Sequence, residues 1–84
     1  VRHFASPQFW VKLNSLPEDV RKIAYANFDL LRQNPRHPSL HLKKVSGYWS
    51  VRVGSQYRAL GKEVEDGILW AWIGSHAEYD QLLK

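Results

Sequence analysis

The sequence contains no cysteine. That excludes disulfide staples and thiolate metal sites. It also lacks any apolar run near the ~18 residues that a membrane span needs, and no signal-peptide pattern is visible. The cytoplasm is therefore the expected compartment, with no membrane partner. The sequence opens at Val1 rather than Met, so a few preceding residues are expected. Glycine and proline are sparse, at five and four, and no linker, repeat or low-complexity segment interrupts the chain. Its 84 residues are 44% hydrophobic and 13% aromatic. That is too apolar for a disordered chain and fits one small domain, residues 1–84, with a modest core.

The most informative absence is of acid. From Leu30 to Lys62 there is no Asp or Glu. The same window holds Arg32, Arg36, Lys43, Lys44, Arg52, Arg58 and Lys62, with His37 and His41. All eight acidic residues lie outside it, although the net charge is only +4. Positive charge gathered on one face attracts anions, and phosphate backbones or acidic proteins are the natural targets. A solvated basic face is the alternative.

Sequence pattern divides the chain into a helical half and a stranded half. Arg2–Ala5 is expected to be a short strand. Ser6-Pro7 reads as an N-cap with proline in the first turn, and Phe9, Leu13 and Leu16 recur at helical spacing. Ser15 to Glu18 resembles a capping box with proline in the first turn. Val20, Ile23, Ala24, Phe28 and Leu31 make one apolar helical face, which Pro35 stops. "SLHLKKV", "YWSVRVG" and "QYRALGKEV" read as strands, and Asp66-Gly67 as a hairpin turn. "ILWAWIG" is apolar on both faces, so it is expected to be central and covered on both sides. Ser75 and Glu78 form another capping box, opening a helix over residues 76–83 that docks through Leu82 and Leu83. The expected fold is α+β: an N-terminal helical hairpin packed on an antiparallel sheet, with a short C-terminal helix.

The residues able to do chemistry follow from that frame. Arg52 belongs on the strand face opposite Trp49, Val51 and Val53. Arg58 lies on the neighbouring strand, and Lys43 or Lys44 on the preceding one. His76 follows the last strand, and Tyr79 shares its helical face. Cations, a histidine and a tyrosine suit RNA cleavage without a metal. A base takes the 2′-hydroxyl proton, cations hold the phosphate, and an acid protonates the leaving oxygen. Each group also has a plainer reading. His76 could satisfy a helix start, Tyr79 could belong to the core, and the arginines could be solvated or contact a partner. Trp10 could be an exposed partner contact. His37 and His41 are spaced like a zinc pair but have no third ligand nearby. No metal or cofactor is expected, and no serine has the setting of a hydrolase nucleophile.

The order of segments resembles the RelE/ParE superfamily of toxins from bacterial type II toxin–antitoxin systems. The resemblance covers nearly the whole chain. It rests most on "NPRHPSL", "RVGSQYRA" and "WIGSHAEYD", and it implies two helices on a twisted antiparallel sheet. RelE-like members are endoribonucleases, mostly cutting mRNA in the A site of the 30S subunit to leave a 2′,3′-cyclic phosphate. ParE-like members bind DNA gyrase and are not nucleases. By this resemblance Lys43 or Lys44 is the sheet lysine, and Arg52 and Arg58 are the strand arginines. His76 holds the position after the last strand's glycine, where Arg or His often acts. Tyr79 resembles the C-terminal tyrosine, with a different spacing from His76. The implied function is a ribosome-dependent mRNA endonuclease neutralised by a cognate antitoxin. His76, Arg58 and Arg52 would be catalytic, and Lys43, Lys44 and Tyr79 would bind RNA. The alternative is a ParE-like gyrase inhibitor.

Overall fold

The computed structural model describes residues 2–83. Along the chain run strand β1 (Arg2–Ala5), helix α1 (Pro7–Asn14), helix α2 (Glu18–Gln33) and a 3-10 turn (Pro38–Leu40). Strands β2 (Lys43–Val45), β3 (Tyr48–Val53), β4 (Tyr57–Val64) and β5 (Gly67–Ser75) follow, and helix α3 (His76–Leu82) ends the series. The sheet order is β1-β5-β4-β3-β2. Strands β2 to β5 pair antiparallel as expected, while β1 joins β5 in parallel. Two helices separate β1 from the other strands, so no hairpin signal fixes its direction.

Local chemistry sets most boundaries. Ser6 caps α1, its hydroxyl accepting the Phe9 N–H at 3.1 Å. The capping box expected at Ser15 does not form. Ser15 instead closes α1, donating its hydroxyl to the Lys12 carbonyl at 2.6 Å. Leu16 precedes a proline and so resists the helical region. Helix α2 therefore starts only after the extended Pro17 (φ −55°, ψ 150°). Arg21 braces this corner by donating to the Leu16 carbonyl at 2.9 Å. The "SLHLKKV" strand is shorter than expected, because Pro38 opens a 3-10 turn that His41 ends in the left-handed region (φ 47°). Ser46 and Gly47 both have positive φ (51° and 84°). This is the backbone that a two-residue hairpin loop requires between right-twisted strands.

Strand β5 departs from its expected place in an instructive way. It is internal, but β4 is the middle strand. Its pairing with β4 jumps from Trp70↔Gly61 to Trp72↔Leu60, leaving Ala71 as an extra residue. Such a bulge reverses the side-chain alternation. Ile68, Trp70 and Ile73 are consequently buried, Trp72 is half-buried and Ala71 is exposed. The strand looks apolar on both faces because its inward set changes parity midway. In α3, Leu82 is exposed, and Tyr79, only 7% exposed, docks the helix in its place.

The core lies between the helices and one sheet face. Phe9, Leu13, Ala24 and Leu31 meet Val51, Val53, Ala59, Trp70 and Ile73. Phe28 packs edge-on against both Phe9 and Trp70, with centroids 5.5 and 6.0 Å apart. The Trp70 ring lies against Gly61, where a Cβ would sit 2.8 Å from Cε3 and 2.5 Å from Ile68 Cγ2. Gly61→Ala should therefore destabilise the fold by about 1–3 kcal/mol through overpacking, read as a lower urea midpoint with an unchanged slope.

His3 pins β1 to this core. Its Nδ1 accepts the Trp70 indole N–H at 3.1 Å, and burial is the main cause holding its pKa below the ordinary value. Protonating Nδ1 would replace the acceptor with a second donor. The neutral ring's contribution is complete above the unfolded pKa of about 6.5 and shrinks as pH falls from there to the depressed folded value. Urea stability should fall between pH 7 and pH 5, and His3→Gln, which accepts without titrating, should flatten that fall.

Candidate active site

The outer sheet face carries the basic residues. On β3 and β4, Arg52 pairs directly with Arg58 and Ser50 with Leu60, and on β2 Lys43 pairs with Ser50. Opposed residues project to the same side of a sheet, and alternate residues share it. Lys43, Arg52, Arg58 and Lys62 therefore share the face opposite Val51 and Val53, with no acidic residue among the strand positions between them. Lys44 belongs to the other face. Its ammonium lies 3.3 Å from the Glu63 carboxylate and 5.0 Å from the centre of the Trp49 ring. Of the two candidate lysines, only Lys43 is on the side of the arginines.

Helix α3 brings His76 to this face, and its start is firmly built. The Ser75 hydroxyl accepts the Glu78 N–H at 3.1 Å, while the Glu78 carboxylate accepts the Ser75 N–H at 3.0 Å. Those bonds to Ser75 hold the Glu78 carboxyl below the usual carboxylate range. The His76 N–H donates to the Gln56 carbonyl at 2.7 Å, tying the helix to the β3–β4 turn. Gly74 pairs with Arg58, so the residue two places later stands beside it.

The side chains then interlock. Arg58 Nε donates to His76 Nδ1 at 3.3 Å, and its guanidinium lies 5.4 Å from the centre of the Tyr79 ring. The His76 and Tyr79 rings stack, with centroids 5.9 Å apart and planes 18° from parallel. His76 Nε2 is 3.5 Å from the Asp80 carboxylate. Arginine keeps its protons, so Nδ1 must be the acceptor and the neutral ring's proton sits on Nε2, facing Asp80. Arg52 Nε donates to the Gly54 carbonyl at 3.0 Å. Arg58 Nη1 is buried without a partner.

Arg58, His76 and Tyr79 thus interlock, with Arg52 opposite Arg58 on the neighbouring strand and Lys43 farther along the same face. Tyr79 is both things the sequence left open, buried and in contact with the cluster. Asp80 was absent from the sequence reading, although its i, i+4 spacing from His76 is the signal that finds it. A cleft of about 1100 Å³ lies elsewhere, between the 35–42 segment and the β4–β5 turn. His37 lines it with Nδ1 2.8 Å from the Ser39 hydroxyl. Among the described residues no three potential ligands group as a metal site would, and no helix is long and apolar enough to cross a membrane. Ser75→Ala should remove about 1 kcal/mol of stability by uncapping α3, with hydrogen exchange of residues 76–79 accelerating more than that of the sheet.

A family model of the ParE-like toxin domain matches residues 18–81. No curated protein matches the sequence at a significant level. Solved structures match over most of the chain. One is in the RelB–RelE antitoxin–toxin complex from Methanococcus jannaschii, at 20% identity and TM-score 0.70, covering 96% of this chain and 99% of that one. YafQ from E. coli strain BL21(DE3) matches at 17% identity and TM-score 0.69, with 93% and 96% covered. The YoeB/ParE toxin from Agrobacterium tumefaciens matches at 10% identity and TM-score 0.68, with 90% and 99% covered. These likenesses bear on the fold, which is that of RelE, YafQ and YoeB toxins. The family match runs from α2 through α3 and takes in every residue of the cluster. The chain belongs to the ParE-like toxin domain family.

Proposed function

We propose that the protein is the toxin of a type II toxin–antitoxin pair and acts as a ribosome-dependent mRNA endoribonuclease. The observation that carries this reading is the pair Arg52 and Arg58, directly opposed on an acid-free sheet face, with His76 against one of them. Like charges opposite each other destabilise a sheet. A phosphate between them turns the repulsion into two charge-assisted hydrogen-bonded contacts. The buried, unpartnered Nη1 of Arg58 is a further donor without an acceptor.

In this mechanism the scissile phosphate draws the Arg58 guanidinium from His76 Nδ1. That nitrogen is then free to take the proton from the 2′-hydroxyl. The 2′-oxygen attacks phosphorus, the bond to the 5′-oxygen breaks, and the products are a 2′,3′-cyclic phosphate and a 5′-hydroxyl end. The leaving oxygen takes its proton from solvent. Asp80 accepts from Nε2–H and stabilises the imidazolium, the role a carboxylate plays behind a histidine base. Arg52 and Arg58 hold the charge that develops on the phosphate. Lys43 guides the strand, and Tyr79 orients both Arg58 and His76. Lys44, occupied with Glu63 on the other face, is left out. The partner is an antitoxin with an acidic segment, which would cover the basic face by charge and occlusion.

Induction without antitoxin should arrest growth and leave mRNA cut on ribosomes with cyclic phosphate ends. Arg58→Ala should reduce cleavage by roughly 10²–10³-fold, and His76→Ala by a similar factor. Fully toxic variants at both positions would sink the assignment. Intact mRNA with inhibited supercoiling by purified gyrase would establish the non-nucleolytic alternative instead.

A further inference from the structure

Trp72 stands apart from the other large side chains of β5. Trp70 and Ile73 are fully buried in the core, while the bulge at Ala71 turns Trp72 to the basic face, half-buried. There it pairs with Leu60 and is the diagonal neighbour of Arg58, whose own partner is Gly74. Diagonal neighbours across strands are ~7–8 Å apart, within reach of an aromatic side chain.

The ring is laid flat by design of its surroundings. A Cβ on Gly74 would meet Trp72 Cζ2 at 2.6 Å and Cη2 at 2.9 Å. The indole therefore leans along the strand over the bare glycine, toward the end of the sheet where Arg58 and His76 sit. The Lys12 ammonium comes to 5.7 Å from the ring centre, in the field of the Glu78 carboxylate. A cation over an aromatic face, beside a cation-rich strand face, is the combination that single-stranded nucleic acid exploits. Bases stack on the ring while the cations take the backbone.

We infer that Trp72 is a stacking platform for the nucleobase next to the scissile phosphate, with Lys12 closing over it as a second phosphate contact. This rests on the ribonuclease reading above and adds a base subsite to it. The stacked base would hold the strand in register while the arginines grip the phosphate. Because every base has a π-face, the subsite would strengthen binding without strong sequence preference.

The test uses two probes that cannot be cleaved, a short single-stranded RNA with every 2′-hydroxyl methylated and the same backbone lacking its bases. Affinities are measured by fluorescence anisotropy at fixed salt for wild type, Trp72→Ala, Trp72→Phe and Arg58→Ala. Trp72→Ala should weaken binding of the based RNA about tenfold and leave the abasic backbone unaffected. Trp72→Phe, which keeps a ring and protects the fold, should retain most of the affinity. It should also lose part of the tryptophan quenching that the RNA causes. Arg58→Ala should weaken both probes. Equal effects of Trp72→Ala on the two probes, or none, would overturn the platform while leaving the arginine site intact. Binding of neither probe by wild type would overturn the platform, whereas the ribonuclease reading stands or falls on the cleavage of mRNA on ribosomes.

Discussion

The contact on which the molecule depends is the seat of Trp70. Its ring lies on Gly61 of β4, meets Phe28 of α2 edge-on, and donates its N–H to His3 of β1. Its carbonyl accepts the Ser6 N–H at the entrance to α1 at 3.0 Å. One residue therefore joins the parallel edge strand, the middle strand and the helices. A chain of this size has few alternatives for its core. Glycine at 61 is what lets so large a ring lie close to the sheet, and a neutral histidine at 3 is what lets its N–H be buried.

The same strand supplies the outer face. Without the extra residue at Ala71, Trp70 and Trp72 would project to the same side. With it, one tryptophan completes the core and the other reaches the basic surface. The start of α3 then fixes the histidine beside Arg58 through the backbone bond to Gln56 and the Ser75–Glu78 capping box. The cluster is thus carried on paired strands and a capped helix, a more exact support than a loop. Tyr79 joins the two tasks, since the ring that docks α3 is also the surface on which the guanidinium lies.

Much of this was legible in the residues. The amphipathic run from Val20 to Leu31, the Ser75–Glu78 box and the alternation of Trp49, Val51 and Val53 each specify an element by local chemistry. The acid-free window anticipated the basic sheet face that Lys43, Arg52, Arg58 and Lys62 share. What escaped was non-local. Nothing in "SLPE" distinguishes a cap that opens α2 from one that closes α1, except the restriction that Pro17 places on Leu16. The bulge at Ala71 is set by pairing with β4, and "ILWAWIG" contains no sign of it. Which of Lys43 and Lys44 faces the arginines depends on strand register, and a slip of one residue would exchange them. Asp80 was within reach of sequence reasoning, since helical spacing alone puts it beside His76.

The opposed arginines have a consequence for the protein's life without a partner. Two like charges on directly opposed strand positions weaken a sheet relative to neutral residues there. Any polyanion that bridges them relieves the repulsion, so binding and folding are linked through one pair of side chains. Where such a protein is kept in check by an acidic companion, the companion would act as stabiliser as well as inhibitor. Its removal would release a protein that is active and, by the same electrostatics, closer to unfolding.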